Sequence, residues 1–434
     1  MRCIVLLAIA VVSLCSPVEQ ALAQSIQRET SQQTISSEDS LRSKADAIIM
    51  VLNGKLPAKD VFSPEFLAQV SPSQLSALQT QLVAAYGPLQ GVESITKTGE
   101  FSAKIALRYE KAVGSGVMTI APDAPHLVTG LRLTSFETKN DTAAKISADL
   151  RALSGTISAY YGPLNGERPL ISINEDRPMA VGSAFKLFVL SALSNSIEAD
   201  QHRWNEIVPL TAKSYPSGLL QSWPKDSPLT VQSLATLMIQ ISDNTAADQL
   251  IGLLGRSAVE REFAASGGAS TPTFPFLTTR EMFTIKSDPA LLETYAKADT
   301  ADRRRLLESL PKTHTPQDRV ISAFSGKPVA IDRIEWFVSA DQMRKLLQRL
   351  TGPDSEKARD IMAINIAVGD KIRQNWSYIG YKGGSEPGVL DMTWLLRTKA
   401  GEWRVLTLAW NDPDKPVATE TLLALGKRIL SLPD

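Results

Sequence analysis

Four serines in this chain are followed by a lysine three residues on: Ser94/Lys97, Ser183/Lys186, Ser222/Lys225 and Ser309/Lys312. A helix carries positions i and i+3 on one face, so a lysine amine there can reach the serine hydroxyl and help remove its proton. The pattern alone is weak, and context separates the four. Ser222 and Ser309 each have a proline directly before the lysine, which opposes a continuous helix. Ser94 lies in the N-terminal part, just before a predicted strand. Ser183 follows Gly182 and precedes Ala184-Phe-Lys-Leu-Phe-Val-Leu-Ser-Ala-Leu193, which predicts a buried helix. The positive end of such a helix favours a developing alkoxide, although a plain N-cap serine is the competing reading.

Two further polar groups stand out. Ser242-Asp243-Asn244 occurs once, between two apolar helical stretches in LATLMIQISDNTAADQLIGLLG. It reads either as a helix cap with a satisfied polar turn, or as a hydroxyl that relays a proton beside an amide that binds substrate. Lys-x-Gly occurs three times. Lys97-Thr98-Gly99 precedes everything else, and Lys399-Ala400-Gly401 reads as a hairpin turn. Lys382-Gly383-Gly384 follows the strand-like WSYIGY and precedes Ser385, where glycines let a ligand approach the backbone.

In that order, SxxK, SDN and K-G-G on Ser183, Ser242 and Lys382 resemble the motifs of the penicillin-recognising serine hydrolases, and most closely the class A β-lactamases. INEDRPMAVGSAFKLFVLSAL is similar to the family's strand, loop and nucleophile helix. The resemblance covers roughly residues 142–434. It implies Ser183 as the acylated nucleophile, Lys186 as its activating partner and Ser242 as the shuttle to the leaving nitrogen. It implies that Asn244 orients an acylamide side chain, and that Lys382, aided by Ser385, attracts a substrate carboxylate. Gly384 lies at the same edge, and the N–H groups of Ser183 and Ser385 would form an oxyanion hole. The substrate would be a small-molecule β-lactam, or a peptide or ester, hydrolysed without a cofactor or metal.

The chain departs from the family pattern at two places. The third motif lacks the hydroxyl of K-T-G. No E-x-x-L-N stretch follows SDN. Glu281, in FPFLTTREMFTIKSD, stands at about the place of the deacylating carboxylate, with an ordinary helix-start glutamate as the competing reading. Slow clearance of the acyl-enzyme is therefore expected. A D-Ala-D-Ala peptidase or esterase, and a β-lactam-binding protein without turnover, stay open beside the lactamase.

The elements that must position these groups can be read from periodicity. Ile146, Leu150 and Leu153 mark a helix face, strands are predicted at 155–161, 169–174, 376–382, 389–397 and 403–410, and Leu422, Leu425 and Ile429 mark a closing helix. A helix-rich region fills 183–350. This order predicts an α/β (α+β) sandwich of the β-lactamase/transpeptidase kind, an antiparallel sheet flanked by helices, over 142–434. Residues 40–137 predict a small α+β domain: helices to about 87, then strands between 100 and 137, with Gly114-Ser-Gly116 and Pro122–Pro125 as turns. By pattern it resembles the NTF2/steroid-isomerase folds, and the pair of domains resembles the two-domain β-lactamase-like proteins encoded with clavulanic acid biosynthesis.

Composition excludes other classes. Lys plus Arg and Asp plus Glu both number 46, so no basic footprint points to nucleic acid. His126, His202 and His314 are too scattered for a histidine metal centre. Residues 1–23 read as a signal peptide: the apolar run from Cys3 to Cys15 is too short to span a bilayer, and Ala21-Leu-Ala23 is a cleavage site. Residues 24–39 read as a flexible tether. Both cysteines, Cys3 and Cys15, lie in the leader, so a periplasmic or secreted product without disulfides or a membrane anchor is expected.

Overall fold

The computed structural model describes residues 37–139, 141–268, 273–310, 320, 324 and 326–432, so the expected leader lies outside the described residues. No helix among them is long and apolar enough to cross a membrane. The chain divides into two compact units between Asn140 and Asp141.

The N-terminal unit runs α1 (Ser37–Leu52), α2 (Pro64–Gln69), α3 (Pro72–Tyr86), β1 (Leu89–Gly99), β2 (Ser102–Tyr109), β3 (Ala112–Ile120) and β4 (Val128–Thr138). Helix α1 begins inside the stretch expected to be tether, with Glu38 and Asp39 in its first turn, where the helix dipole favours them. Ser71 and Gln74 form a capping box that starts α3. The four strands form one antiparallel meander in chain order, with β1 beginning well before residue 100. The alternating Ile105, Leu107 and Tyr109 bury against Leu41, Ala45 and Ile48 of α1. Gly114-Ser115-Gly116, expected as a turn, is instead the middle of β3. A Cβ at Gly114 would strike the Phe136 ring and one at Gly116 the Arg132 carbonyl, so close strand packing accounts for the glycines.

In the C-terminal unit, α4 (Ala143–Arg151) precedes β5 (Thr156–Pro163), β6 (Ile171–Ile173) and β7 (Met179–Ala180). A 3₁₀ turn at Gly182–Phe185 leads directly into α5 (Lys186–Glu198). There follow β8 (Ile207–Pro209), β9 (Pro228–Thr230), α6 (Val231–Gln240), α7 (Asn244–Leu254), α8 (Arg256–Ala265) and α9 (Thr279–Lys286). Then come α10 (Pro289–Lys297), α11 (Thr300–Ser309), β10 (Phe337–Val338), α12 (Ala340–Arg349), α13 (Glu356–Met362) and α14 (Asp370–Arg373). The chain closes with β11 (Tyr378–Glu386), β12 (Val389–Arg397), β13 (Trp403–Asn411) and α15 (Thr419–Leu430).

The main sheet has the order β11-β12-β13-β5-β6, antiparallel throughout. Its two faces carry separate cores. On one, Ile146 and Leu150 of α4 and Leu422, Leu425 and Ile429 of α15 pack on Trp394, Leu406 and Leu408. On the other, α5 is the central helix, buried from Lys186 to Ser194 without a break, as a helix apolar on all sides must be. Lys399-Ala-Gly401 is the β12–β13 turn, with Gly401 at φ 93°. The strand predicted to end near 382 continues through the K-G-G motif to Glu386, paired with β12 along its whole length.

The glycine packing in β3 gives a stability test. Gly116→Val places branched carbons where the Arg132 carbonyl sits, and should destabilise the N-terminal unit by about 2 kcal/mol, in the range for overpacked cores. Urea denaturation of the full chain measures this; an unchanged midpoint would show that the strand relaxes freely.

Candidate active site

Ser183 lies in the 3₁₀ turn, half-buried, one step ahead of α5. Side chains three apart eclipse in a 3₁₀ turn, which brings Ser183 and Lys186 into line more directly than an α-helix does. The turn has no side-chain cap, so the N-cap reading of Ser183 does not hold. Phe185 fixes it from behind, stacked on Trp336 with centroids 3.8 Å apart.

Two glycines let β11 press against this turn. A Cβ on Gly384 would collide with Val181 O and the Ser183 amide nitrogen, and one on Gly182 (φ 49°) would lie 3.0 Å from Ser385 N. The backbones of Ser183 and Ser385 are thereby brought side by side. The glycine of the third motif serves protein packing here, where the sequence suggested ligand approach.

Lys186 is fully buried. Its Nζ donates to Ser242 O (2.6 Å) and Asn244 Oδ1 (2.7 Å), and lies 3.2 Å from Ser242 Oγ. Lys382 reaches the same Ser242 Oγ at 3.1 Å and donates to Gly383 O at 2.5 Å. One hydroxyl therefore sits between two amines. Burial pushes the Lys186 pKa well below its ordinary value, and the charge of Lys382 pushes the same way. Burial brings Lys382 down to about 7, with Asp391 opposing the shift. A neutral amine keeps a lone pair, so Lys186 can accept a proton as well as donate one.

Asp243 builds the loop that holds these groups. Fully buried, it accepts from Ala246 N (2.9 Å) as the cap of α7, and from Leu219 N (2.7 Å) and Leu220 N (3.0 Å) across the loop. Cap and functional turn are thus one structure. Ser242 beside it adopts φ 59°, a left-handed conformation uncommon outside glycine and typical of constrained sites. Asn244 is held at both ends, by Lys186 and by donation to Tyr215 O at 3.2 Å.

A small pocket opens on Ser183. Gly182, Asn244, Ser385, Trp336 and the Thr279/Met282/Phe283 face of α9 line it, together with two acidic residues, Glu335 and Glu386. Ser183, Lys186, Ser242, Asn244, Lys382, Gly384 and Ser385 thus come together. Glu281 does not join them. It caps α9 in a box with Thr278 and forms a two-pronged pair with Arg256, at 2.6 and 3.0 Å. The helix places it off the pocket-lining face, so the competing reading of a helix-start carboxylate describes it. Ser94 lies within β1 of the N-terminal unit and Ser222 ends a 3₁₀ turn; Lys312 is outside the described residues.

This fold and serine-centred site define a β-lactamase-type serine hydrolase scaffold. The model of the β-lactamase enzyme family matches residues 141–431, and the chain belongs to that family. No curated protein matches it. Among solved structures, a β-lactamase from Sphaerobacter thermophilus DSM 20745 is similar at 21% identity and TM-score 0.45, over 66% of this chain and 93% of that one. PBP-A is similar at 16% identity and TM-score 0.45, over 66% and 93%. L2 complexed with relebactam is similar at 20% identity and TM-score 0.44, over 66% and 98%.

Asp243→Ala removes a cap and leaves two further N–H groups without their acceptor. A loss of about 3 kcal/mol or more is expected, about 1 from the cap and the rest from buried donors. Urea denaturation checks it; a loss below 1 kcal/mol would mean that the loop finds other acceptors.

Proposed function

We propose that the C-terminal unit is a serine hydrolase that opens β-lactams, or related amide or ester bonds, through an acyl-enzyme on Ser183. The observation that carries the reading is the convergence of Lys186 and Lys382 on Ser242 Oγ, beside a serine whose amide abuts that of Ser385. Ser183 Oγ attacks the carbonyl carbon and its proton passes to the neutral Lys186 amine. The oxyanion accepts from the N–H groups of Ser183 and Ser385. The C–N or C–O bond then breaks, Ser242 gives its proton to the leaving atom, and Lys186 restores it. Lys382 attracts the substrate carboxylate. Asn244, tied to Lys186 and Tyr215, orients the lysine and has an edge on the pocket for substrate.

Acylation outruns deacylation in this reading. Glu281 is occupied by Arg256 and the helix start, and α9 turns no acidic side chain to the pocket. A misplacement of about 1 Å can cost on the order of 100-fold in rate, so clearance without the usual water-binding loop is slow. A peptidase or esterase on the same machinery differs in leaving group and in the lifetime of the adduct.

Intact-mass spectrometry with benzylpenicillin and nitrocefin should show an adduct on the wild type that maps to Ser183 and clears slowly. Ser183→Ala should show none. An adduct on Ser94, Ser222 or Ser309 would sink the assignment, and turnover at 10 per second or more, about the median enzyme rate, would show that clearance is not impaired.

Lys382 adds a pH signature. Its ammonium is charged below about 7 and neutral above it, so attraction for a carboxylate weakens as pH rises through that value. Acylation by benzylpenicillin should fall on this alkaline limb, whereas acylation by an ester donor without a carboxylate should not. The same limb with both substrates would assign it to another group.

A further inference from the structure

The Ser183 pocket borders a buried charged cluster with no part in acylation. Lys286, the last residue of α9, is fully buried and lies 3.2 Å from Glu335 Oε1, with Glu386 Oε1 in closer contact still. Burial opposes its charge, but Glu386 and Glu335 outweigh this and hold its pKa above the ordinary lysine value. The two glutamates are not equivalent. Both oxygens of Glu335 are taken, Oε1 by Lys286 and Oε2 by the backbone N–H of Trp336 at 3.0 Å. Glu386 is tied through Oε1 to Lys286 and shares a side-chain hydrogen bond with Glu335; among the described residues its buried Oε2 has no further partner. A carboxylate oxygen kept from water without a donor is costly, and its natural partner is a molecule in the pocket that Glu386 lines.

The strand register places Glu386 relative to the Ser183 turn. Successive side chains of β11 alternate between faces, so Lys382, Gly384 and Glu386 share one. Gly384 is the residue pressed against the Ser183 amide, and Glu386 stands one strand step beyond it. Asp391, paired with Gly384 across the sheet, lines a different cavity with Ser158 and Thr407.

We propose that Glu386 is the general base of the hydrolytic step, holding a water on its free oxygen against the Ser183 ester; this rests on the acyl-enzyme assigned above. The water oxygen bonds to the ester carbonyl carbon while one of its protons passes to Glu386. The C–Oγ bond then breaks and that proton returns to Ser183 Oγ. The products are a free carboxylic acid, the serine hydroxyl and the Glu386 carboxylate. Lys286 fixes the carboxylate and favours its ionised form. Burial pushes the Glu386 pKa well above the usual carboxylate range; Lys286 opposes the shift and Glu335 adds to it. A carboxylate with a raised pKa is a stronger base once ionised.

Rapid-quench intact-mass kinetics with nitrocefin separate the steps on wild type, Glu386→Gln and Glu386→Asp, with circular dichroism melts as the fold control. Glu386→Gln should acylate Ser183 within about threefold of wild type, yet clear the adduct at least about 100-fold more slowly, the lower end for a lost general base. Glu386→Asp keeps the charge opposite Lys286 and should clear at a rate between the two. Clearance by Glu386→Gln at the wild-type rate, or equal losses in both steps, overturns the proposal. If Glu386→Gln does not fold, Glu386→Asp decides alone, and clearance by it at the wild-type rate overturns the proposal. A wild type that forms no adduct on Ser183 overturns the acyl-enzyme reading itself, and this one with it.

Discussion

An amine buried as deeply as that of Lys186 must be given acceptors by the chain around it, because an unpaired ammonium in the interior is costly. Here those acceptors are Ser242 and Asn244, which the loop between α6 and α7 delivers together. The loop in turn needs Asp243, whose carboxylate starts α7 and gathers the amides of Leu219 and Leu220. The left-handed backbone at Ser242, the buried cap and the contact with Lys382 all follow from fitting one lysine into a closed space. The same confinement lowers the pKa of Lys186 and favours its neutral form.

Close backbone packing is the second constraint. Gly182 and Gly384 have no side chains at the place where the Ser183 turn meets the strand edge, and neither position tolerates one. This contact sets two amides side by side and aligns the outer strand so that Lys382 and Glu386 fall on one face. Polar groups on that face are then divided along a single strand, with Lys382 toward Ser242 and Glu386 toward Lys286.

Helix α9 carries polar groups at both of its ends. Its start is well capped, by Thr278 and Glu281 and by Asp248, which accepts from the amides of Thr279 (2.7 Å) and Arg280 (2.9 Å). Having spent Glu281 on its own first turn, the helix presents Thr279, Met282 and Phe283 to the pocket, and at its end Lys286. A lysine there recruits acids from elsewhere, Glu335 before β10 and Glu386 at the end of β11.

The amino-acid sequence by itself determined what depends on local order. SxxK ahead of an apolar helix, SDN between two helices and K-G-G before Ser385 named the residues that converge in the C-terminal unit, because each motif is a short piece of backbone with its own turn chemistry. The hydrophobic periods likewise located the main-sheet strands and the flanking helices α4 and α15. Tertiary structure decided what depends on neighbours distant in sequence. Whether Gly114 and Gly116 bend a chain or sit within a strand depends on Phe136 and Arg132 across the sheet. Whether Glu281 faces the pocket depends on Arg256, far outside any local pattern. The Glu386 side of the site was half legible: the spacing of two from Lys382 to Gly384 to Glu386 puts all three on one strand face, but only if the strand runs through the motif. That it does so depends on β12, and that Glu386 matters depends on Lys286, a hundred residues earlier, reaching it in the folded chain.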